Sequence, residues 1–200
     1  MYKLGITGGI GSGKTTASDF FSKKKARIFN ADKEAKSHLK KTVMLQHKII
    51  ESFGRDVVEN NKLSLKKLAE VSFSNRLNQD ILNGIMWPEV YLLIDSAIER
   101  AQLDNIKIFV IDAAMIFEAK IDNILDSILL ITAKKSIRIE RALKRKNLPL
   151  EQIQNRMSLQ MPETEKRLKA NNIITNNKTE KDLISKLNKL YDKEIDPHLH

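Results

Sequence analysis

Nine residues near the N-terminus, GGIGSGKTT at 8–16, carry the clearest chemistry in the sequence. They fit the pattern G-x-x-x-x-G-K-[ST], with Gly8, Gly13, Lys14 and Thr15 at its fixed positions. Glycines let the backbone turn tightly enough for successive N–H groups to point at phosphate oxygens. A helix that begins near Lys14 adds the positive end of its dipole. The stretch therefore predicts a site for a nucleoside triphosphate.

Each residue of this loop has an expected part in holding the triphosphate. Lys14 neutralises the β- and γ-phosphates as a point charge, and the Thr15 hydroxyl ligates a magnesium ion between them. The alternative is a glycine-rich turn that matches by chance, which is disfavoured because a strand-like run precedes the loop and a helix-like segment follows it. The residues expected to bind the nucleotide are Gly8, Gly9, Gly11, Ser12, Gly13, Lys14, Thr15 and Thr16.

Two carboxylates come at the ends of predicted strands. Asp32 follows a strand at 26–29, and Asp112 ends a strand at 107–112. Ligands bind at the carboxyl ends of the strands in open parallel sheets, so both are candidates. Asp32 is a catalytic base or the N-cap of a helix at 33–41, and spacing alone does not choose between them. Asp112 is expected to hold the water shell of magnesium, with a strand-end cap as the alternative.

Four cations recur at intervals of four, three and four residues, which places them on one face of a helix. They are Lys134, Arg138, Arg141 and Arg145. Like charges repel, so an anion clamped by this face explains the pattern better than a purely structural helix, although plain solvent exposure beside Glu140 is the alternative.

A break in the helical pattern follows this cationic helix at 147–149. Two further helical stretches come next and carry Arg156, Gln160 and Arg167. The arrangement indicates a hinged helical lid, which phosphoryl transfer requires because a closed lid excludes water and guanidinium groups stabilise the moving phosphoryl.

The elements that must position these residues alternate between strand and helix, which predicts an α/β fold with a parallel sheet flanked by helices. Residues 42–103 are mainly helical by periodicity and interrupt that alternation as an insertion. Pro88 lies in the middle of a helical pattern at 75–102 and predicts a kink or break near Met86–Trp87. Five strands are predicted, at 2–7, 26–29, 107–112, 127–132 and 172–175.

The amino-acid composition limits the number of domains, the class of partner and the cellular location. Two hundred residues suit a single domain, and a net charge of +10 favours an anionic partner, either a nucleotide or a nucleic acid. The absence of cysteine excludes disulfides and thiolate chemistry. With neither a membrane-length apolar run nor a cleavable signal expected, the sequence predicts a soluble cytoplasmic protein.

Taken in order along nearly the whole chain, six segments resemble those of the dephospho-coenzyme A kinases. They are ITGGIGSGKTT at 6–16, NAD at 30–32, SF at 72–73, WP at 87–88, IDAAMIFE at 111–118 and RALKR at 141–145, the last followed by Gln160. The chain departs from the family's usual pattern at four places: Asn30 for an acid, Trp87 for a histidine, Leu65 for an arginine, and Ala113–Ala114 where the family usually has a proline.

The resemblance implies a P-loop NTPase fold like that of the nucleoside monophosphate kinases. Its five-stranded parallel sheet would carry a helical acceptor-binding insertion and a helical lid within one domain, 1–200. The implied parts are a core at about 1–30, 104–135 and 171–200, an acceptor-binding region at about 31–103 and a lid at about 136–170.

The resemblance also implies roles and partners. Asp32 would take the proton from the ribose 3′-hydroxyl of dephospho-coenzyme A, Lys14 and Arg141 would stabilise the transferred phosphoryl, and Arg145 would be a further nucleotide-binding cation in the lid. ATP would be the donor, with Mg²⁺ on Thr15 and Asp112. No nucleic acid or membrane partner is implied, and the protein would be a monomer or a weak homo-oligomer.

Two other functions stay open at this point. One is another small-molecule or nucleotide kinase of the same fold. The other, from a different class, is a nucleic-acid-binding P-loop regulatory protein, which the +10 charge suggests but which no recognisable nucleic-acid-binding module supports.

Overall fold

The computed structural model describes residues 1–145 and 149–198. Its strands are β1 (Tyr2–Thr7), β2 (Arg27–Asn30), β3 (Val58–Glu59), β4 (Lys62–Leu63), β5 (Ile108–Asp112), β6 (Ser127–Thr132) and β7 (Asn172–Thr175). Five of them pair in parallel in the spatial order β2-β5-β1-β6-β7. Every residue of β5 and β6 is buried, as expected for parallel strands covered on both faces. The predicted α/β sheet is confirmed, with each strand end within one residue of its predicted position.

Helices cover both faces of this sheet. Those in the described residues are α1 (Lys14–Lys23), α2 (Ala31–Lys41), α3 (Val43–Phe53), α4 (Leu65–Ser72), α5 (Arg76–Leu103), α6 (Lys135–Lys144), α7 (Leu150–Ser158), α8 (Glu163–Lys169) and α9 (Glu180–Leu190). The apolar sides of α1 and α9 pack on one face, and α5 packs on the other. A third cluster, formed largely by α2–α5, gives that helical segment a core of its own.

The sequence predicted a kink or a break at Pro88; α5 runs through this residue without interruption, so a break is wrong. A proline removes the hydrogen bond to the carbonyl four residues earlier, which here belongs to Gly84. Both Pro88 and Gly84 are exposed, so water can satisfy the freed carbonyl. Buried side chains on either side, including Ile85 and Ile94, keep the helix packed past the proline.

By length and mean hydropathy alone, α5 also matches a membrane span. Many of its apolar side chains pack in the cluster on the sheet or in the cluster within α2–α5, whereas Leu77, Leu92 and Leu103 are exposed. It also carries charged residues such as Asp80, Glu89 and Asp95 along its length. We therefore describe α5 as the packing helix that joins the two clusters.

A short hairpin interrupts the helical segment and was not predicted as strand. Strands β3 and β4 pair antiparallel, and the residues between them, Asn60 and Asn61, have φ values of 50° and 59°. Asparagine tolerates positive φ better than most residues, and two such residues in succession are typical of a tight hairpin turn. Strands of two residues are too short to leave a periodic signal in the sequence, so the hairpin could not be predicted from hydrophobic patterning.

Candidate active site

The phosphate-loop candidate, residues 8–15, connects β1 to α1 at the carboxyl edge of the sheet. Gly13 precedes α1 with a φ of 110°, a conformation that residues with a Cβ rarely adopt. A Cβ at Gly13 would also collide with the side-chain amide of Asn176, and one at Gly11 would collide with the backbone of Arg138. The segments that contain Asn176 and Arg138 therefore enclose the loop, and they can come this close because glycine has no Cβ.

Asn176 ties this loop to the end of β7. Its side-chain Nδ2 donates to the carbonyl of Ser12 at 2.8 Å, and its backbone N–H donates to the carbonyl of Thr132 at 2.7 Å. The residue is almost completely buried. Asn176 was not among the predicted site residues, although it comes directly after a predicted strand, at the sheet edge where ligands bind.

Lys14 folds back over the loop, where its Nζ donates to the carbonyl of Gly8 at 2.8 Å. Burial lowers the pKa of Lys14, and the negative charges of Asp112 and Asp32 oppose that effect. Loss of hydration makes the ammonium charge costly, so an anion brought into the site would be attracted strongly. These contacts suit the lysine to a phosphate group.

The carboxylate of Asp112 is buried and held from two sides. Its Oδ2 accepts hydrogen bonds from Ser18 Oγ at 2.9 Å and from Asn30 Nδ2 at 3.2 Å. Asn30 lies opposite Asp112 in the β2–β5 register, which brings the two strand ends together. Asn30 is one of the departures from the family pattern, and here its amide supplies a donor that a carboxylate could not.

Asp32 is free of the capping role that was its alternative interpretation. Asn30 is the N-cap of α2, because its side-chain oxygen accepts from the backbone N–H of Lys33 at 2.9 Å. Asp32 lies in the first turn of that helix. The Asp32 side chain keeps access to solvent, but partial desolvation by the surrounding protein raises its pKa; Lys14 lowers the pKa, Asp112 raises it and Arg156 lowers it, in that order of size. A carboxylate with a raised pKa close to a lysine is suited to accept a proton.

Thr15 and Asp112 together provide the donor types that magnesium prefers. Thr15 is exposed in the first turn of α1, and Asp112 is at the end of β5. No group of three His, Cys, Asp or Glu side chains within residues 1–145 and 149–198 could hold a metal. Magnesium usually takes one or two protein oxygens together with water and substrate phosphates, so a hydroxyl and one carboxylate fit it.

The cations of α6 do not converge on one point. Arg138 lies against Gly9, donates from Nε to the carbonyl of Ile10 at 3.1 Å and pairs with Glu163 at 3.3 Å. Arg141 instead donates to the backbone carbonyls that follow β7. Sequence periodicity placed these side chains on one face but could not identify which neighbour each turn of α6 meets.

The other two members of the cationic row lie at the ends of α6. Lys134 precedes the helix and donates its backbone N–H to Asn177 Oδ1 at 2.9 Å. Arg145 follows the helix and is exposed. The predicted break at 147–149 falls mainly outside the described residues, of which Pro149 is the N-cap of α7. Arg138 is thus the cation of this row that contacts the phosphate loop in the described residues.

A buried ion pair attaches α8 to the loop that follows β5. Lys166 Nζ is 3.1 Å from Glu118 Oε1, and both side chains are less than one-tenth exposed. Lys166 also donates to the carbonyl of Ala114 at 2.7 Å, and Glu118 accepts from the backbone N–H of Met161 at 2.8 Å. Lys166 was missed from the sequence, because nothing in the spacing links it to a residue 48 positions away.

A cavity of about 490 Å³ opens beside this ion-paired region, between the carboxyl ends of β6 and β7 and helices α6–α8. Its polar lining includes Thr132, Gln154, Arg167 and Asn177. Arg138 lines the cavity as well as contacting the phosphate loop, so the two sites are continuous.

Comparison with known proteins identifies the family. Residues 2–182 match the family model described as dephospho-CoA kinase. The chain belongs to the dephospho-CoA kinase family. A dephospho-CoA kinase of Salinibacter ruber is 36% identical over 192 residues, which cover 96% of each chain.

Solved structures of similar proteins agree with the family assignment. The crystal structure of TT1252 from Thermus thermophilus has a TM-score of 0.80 and 26% identity, covering 96% of this chain and 97% of that one. Dephospho-CoA kinase from Campylobacter jejuni has a TM-score of 0.66 and 25% identity, covering 96% of each chain. The P-loop kinase fold expected from the sequence is therefore confirmed.

Two other departures from the dephospho-CoA kinase pattern are packing residues here. Trp87 is half-buried against the apolar cluster between α5 and the sheet, and Leu65 packs on the cluster within α2–α5. Both positions contribute apolar area to the helical segment where the family usually has a polar side chain.

Proposed function

We propose that this member of the dephospho-CoA kinase family transfers the γ-phosphoryl group of ATP to the ribose 3′-hydroxyl of dephospho-CoA, giving CoA and ADP, the last step of CoA biosynthesis. The observation that carries the proposal is the proximity of Asp32, a carboxylate with a raised pKa, to Lys14 of the phosphate loop. A proton acceptor after β2 and a phosphate-binding cation after β1, on either side of β5 at the carboxyl edge of the sheet, are the two parts that an alcohol kinase requires.

In the proposed reaction, the 3′-oxygen of the acceptor attacks the γ-phosphorus while its proton passes to Asp32. The bond from the γ-phosphorus to the β–γ bridging oxygen breaks, and ADP leaves. Lys14 neutralises charge on the γ-phosphoryl, and the backbone N–H groups of the loop hold the β-phosphate. Positioning and electrostatics supply most of the catalysis, as in other phosphoryl transfers.

Magnesium completes the donor side of this proposal. Thr15 and Asp112 would hold it, and the bound ion would neutralise charge on the β- and γ-phosphates. Ser18 and Asn30 fix the rotamer of Asp112, so its carboxylate is oriented before the nucleotide arrives. In the same proposal Arg141 stabilises the transferred phosphoryl, Arg145 is a second cation for the nucleotide, and α6–α8 act as the lid.

We further propose that the enzyme is cytoplasmic and is a monomer or a weak homo-oligomer.

The acceptor is tested by measuring ADP release from the purified protein with ATP and Mg²⁺ over a panel of acceptors. We expect turnover to be fastest with dephospho-CoA and to depend on Mg²⁺. Equal or faster turnover with nucleoside monophosphates, shikimate or gluconate would overturn the acceptor assignment. Salt-sensitive binding to DNA or RNA without any acceptor-stimulated turnover would favour a regulatory P-loop protein instead.

Arg138→Ala is expected to weaken binding of an ATP analogue about 10- to 100-fold, because a charged hydrogen bond to the loop and a cation beside Gly9 are both lost. The measurement is calorimetric titration with a non-hydrolysable analogue and Mg²⁺. Lys144→Ala, on an exposed residue in the last turn of the same helix and outside the cavity lining, is the matched control. Unchanged affinity in Arg138→Ala would limit this residue to its pairing with Glu163.

Arg141→Ala is expected to lower kcat more than it weakens ATP binding, because a contact to the moving phosphoryl strengthens in the transition state. Steady-state kinetics with varied ATP measures both quantities. In the structure Arg141 donates to the carbonyls of Asn176 and Lys178. The competing explanation of its role is therefore that it holds the segment after β7 in place. A change in the KM for ATP alone would assign Arg141 to holding the segment after β7.

A further inference from the structure

Arg156 extends from α7 onto the helical segment on the acceptor side. Its guanidinium carbon is 4.3 Å from the centroid of the Phe73 ring, at the end of α4. Stacking on an aromatic face leaves the in-plane N–H donors of a guanidinium available, because the ring covers only its flat side. The contact therefore orients the donors of Arg156 without using them.

The guanidinium of Arg156 forms no direct ion pair with the described residues. No carboxylate lies within 4.0 Å of it in the described part of the chain, unlike Arg138, which pairs with Glu163. Its Nε is buried and has no hydrogen-bond partner among the described atoms. A half-buried cation with an unpaired donor is costly, and the cost falls when an anion binds. Arg156 therefore has the properties of an anion-binding residue.

The position of Arg156 is fixed by a second contact between α7 and the acceptor side. Arg76, the first residue of α5, donates from Nη1 to the carbonyl of Leu159, which ends α7. Two contacts, at Phe73 and at Arg76, thus hold one face of α7 against the helical segment. The charge of Arg156 also acts on the proposed base, because it lowers the pKa of Asp32 against the larger effect of burial.

The anion that suits Arg156 belongs to the acceptor. On the donor side, Lys14 and Arg138 already contact the phosphate loop. Arg156 contacts the helical segment of α2–α5 instead, and it lies near the carboxylate that receives the acceptor's proton. Dephospho-CoA carries a 5′-diphosphate on the same ribose as its reacting 3′-hydroxyl, so a cation that holds the diphosphate also positions that hydroxyl.

We propose that Arg156, held flat against Phe73, binds the 5′-diphosphate of the acceptor and thereby positions its 3′-hydroxyl at Asp32. The inference rests on the proposed function, because the anion it names is part of dephospho-CoA. It assigns Arg156 to acceptor affinity, and Phe73 to the orientation of Arg156. Adenosine, which has the ribose hydroxyl but no phosphate, lacks the group that Arg156 recognises and is the matched ligand for the test.

The test compares the dissociation constants of dephospho-CoA and adenosine for the unaltered protein and for Arg156→Ala, by calorimetry with an ATP analogue present. We expect Arg156→Ala to weaken the binding of dephospho-CoA about 10- to 100-fold and to leave the affinities for adenosine and for the ATP analogue unchanged. Arg156→Lys keeps the charge but not the planar stack, so its loss of affinity for dephospho-CoA should be smaller. Phe73→Leu should weaken the binding of dephospho-CoA less than Arg156→Ala does. Arg100→Ala, on an exposed arginine of α5, is the control.

A second measurement separates positioning from a structural role. The acidic limb of the pH profile of kcat/KM should move to higher pH in Arg156→Ala, because the cation that lowers the pKa of Asp32 is gone, and should move less in Arg156→Lys. Equal weakening of adenosine and dephospho-CoA, or a fall in kcat with unchanged acceptor affinity, would overturn the inference. If the unaltered protein binds the ATP analogue but does not phosphorylate dephospho-CoA, the proposed function fails and the inference fails with it.

Discussion

Replacing Asp32 by Asn should lower kcat about 10²- to 10⁴-fold, the usual contribution of a positioned general base, while ATP affinity stays within about two-fold. An amide has the shape of the carboxylate but cannot accept the proton. The helix itself should be unaffected, because Asn30 and not Asp32 caps α2. Steady-state ADP release and titration with an ATP analogue measure the two quantities.

The matched control is Glu34→Gln, in the first turn of the same helix. It removes an equal charge without removing the proposed base, so its kcat should stay near that of the unaltered protein. Unchanged turnover in Asp32→Asn would make Asp32 a helix residue with a favourable dipole interaction only.

The pKa of Asp32 also predicts a pH dependence. The base is active when deprotonated, and desolvation raises its pKa above the ordinary value of an aspartate, so kcat/KM should fall with decreasing pH through a midpoint above that ordinary value. In the folded state the ionised carboxylate is less favourable than in the unfolded chain. At neutral pH it therefore costs stability, and Asp32→Asn should raise the melting temperature. A lower melting temperature would contradict this assignment of the shift.

Lys166→Met should destabilise the protein by about 3–5 kcal/mol, because it leaves the carboxylate of Glu118 buried without a counterion. Methionine nearly preserves the length and apolar stem of lysine, so the cost comes from the uncompensated charge and from the lost bond to the carbonyl of Ala114. The free energy of unfolding in denaturant measures the effect.

Two further variants show whether the buried charge is the cause. Adding Glu118→Gln to Lys166→Met should recover a large part of the loss, because the amide is neutral. Lys144→Met breaks an exposed ion pair with Glu140 in α6 and should leave the free energy of unfolding nearly unchanged. Equal effects of Lys166→Met and Lys144→Met would mean that the buried pair contributes no more than a surface pair.

The strands and the phosphate loop could be predicted because their signals are local. Continuous apolar runs indicate buried parallel strands, and the spacing from Gly8 to Thr15 has few other uses. The partners of Arg138 and Arg141 could not be predicted, because helical periodicity fixes only the shared face. The pair Lys166–Glu118 depends on the packing of α8 against the loop after β5, which no short-range pattern encodes.

The helix caps show the same limit at closer range. Asp32 and Asn30 are two positions apart and both are good capping residues. Which of them is the N-cap depends on the residue at which α2 begins. The β2 strand ends one residue later than predicted, at Asn30, so the helix begins at Ala31 and the cap moves with it. The break at Pro88 was predicted wrongly for a related reason, because the effect of a proline in a helix depends on whether the carbonyl four residues earlier can reach water.

The amide of Asn30 changes the charge that an incoming nucleotide meets. Where the family usually has an acid, this chain places a neutral side chain that donates to Asp112. The cleft thus presents one negative charge fewer to the polyanionic triphosphate, and the like-charge repulsion on its approach is correspondingly smaller. Together with the net charge of +10, this favours rapid capture of ATP, most of all at low ionic strength where the attraction is least screened.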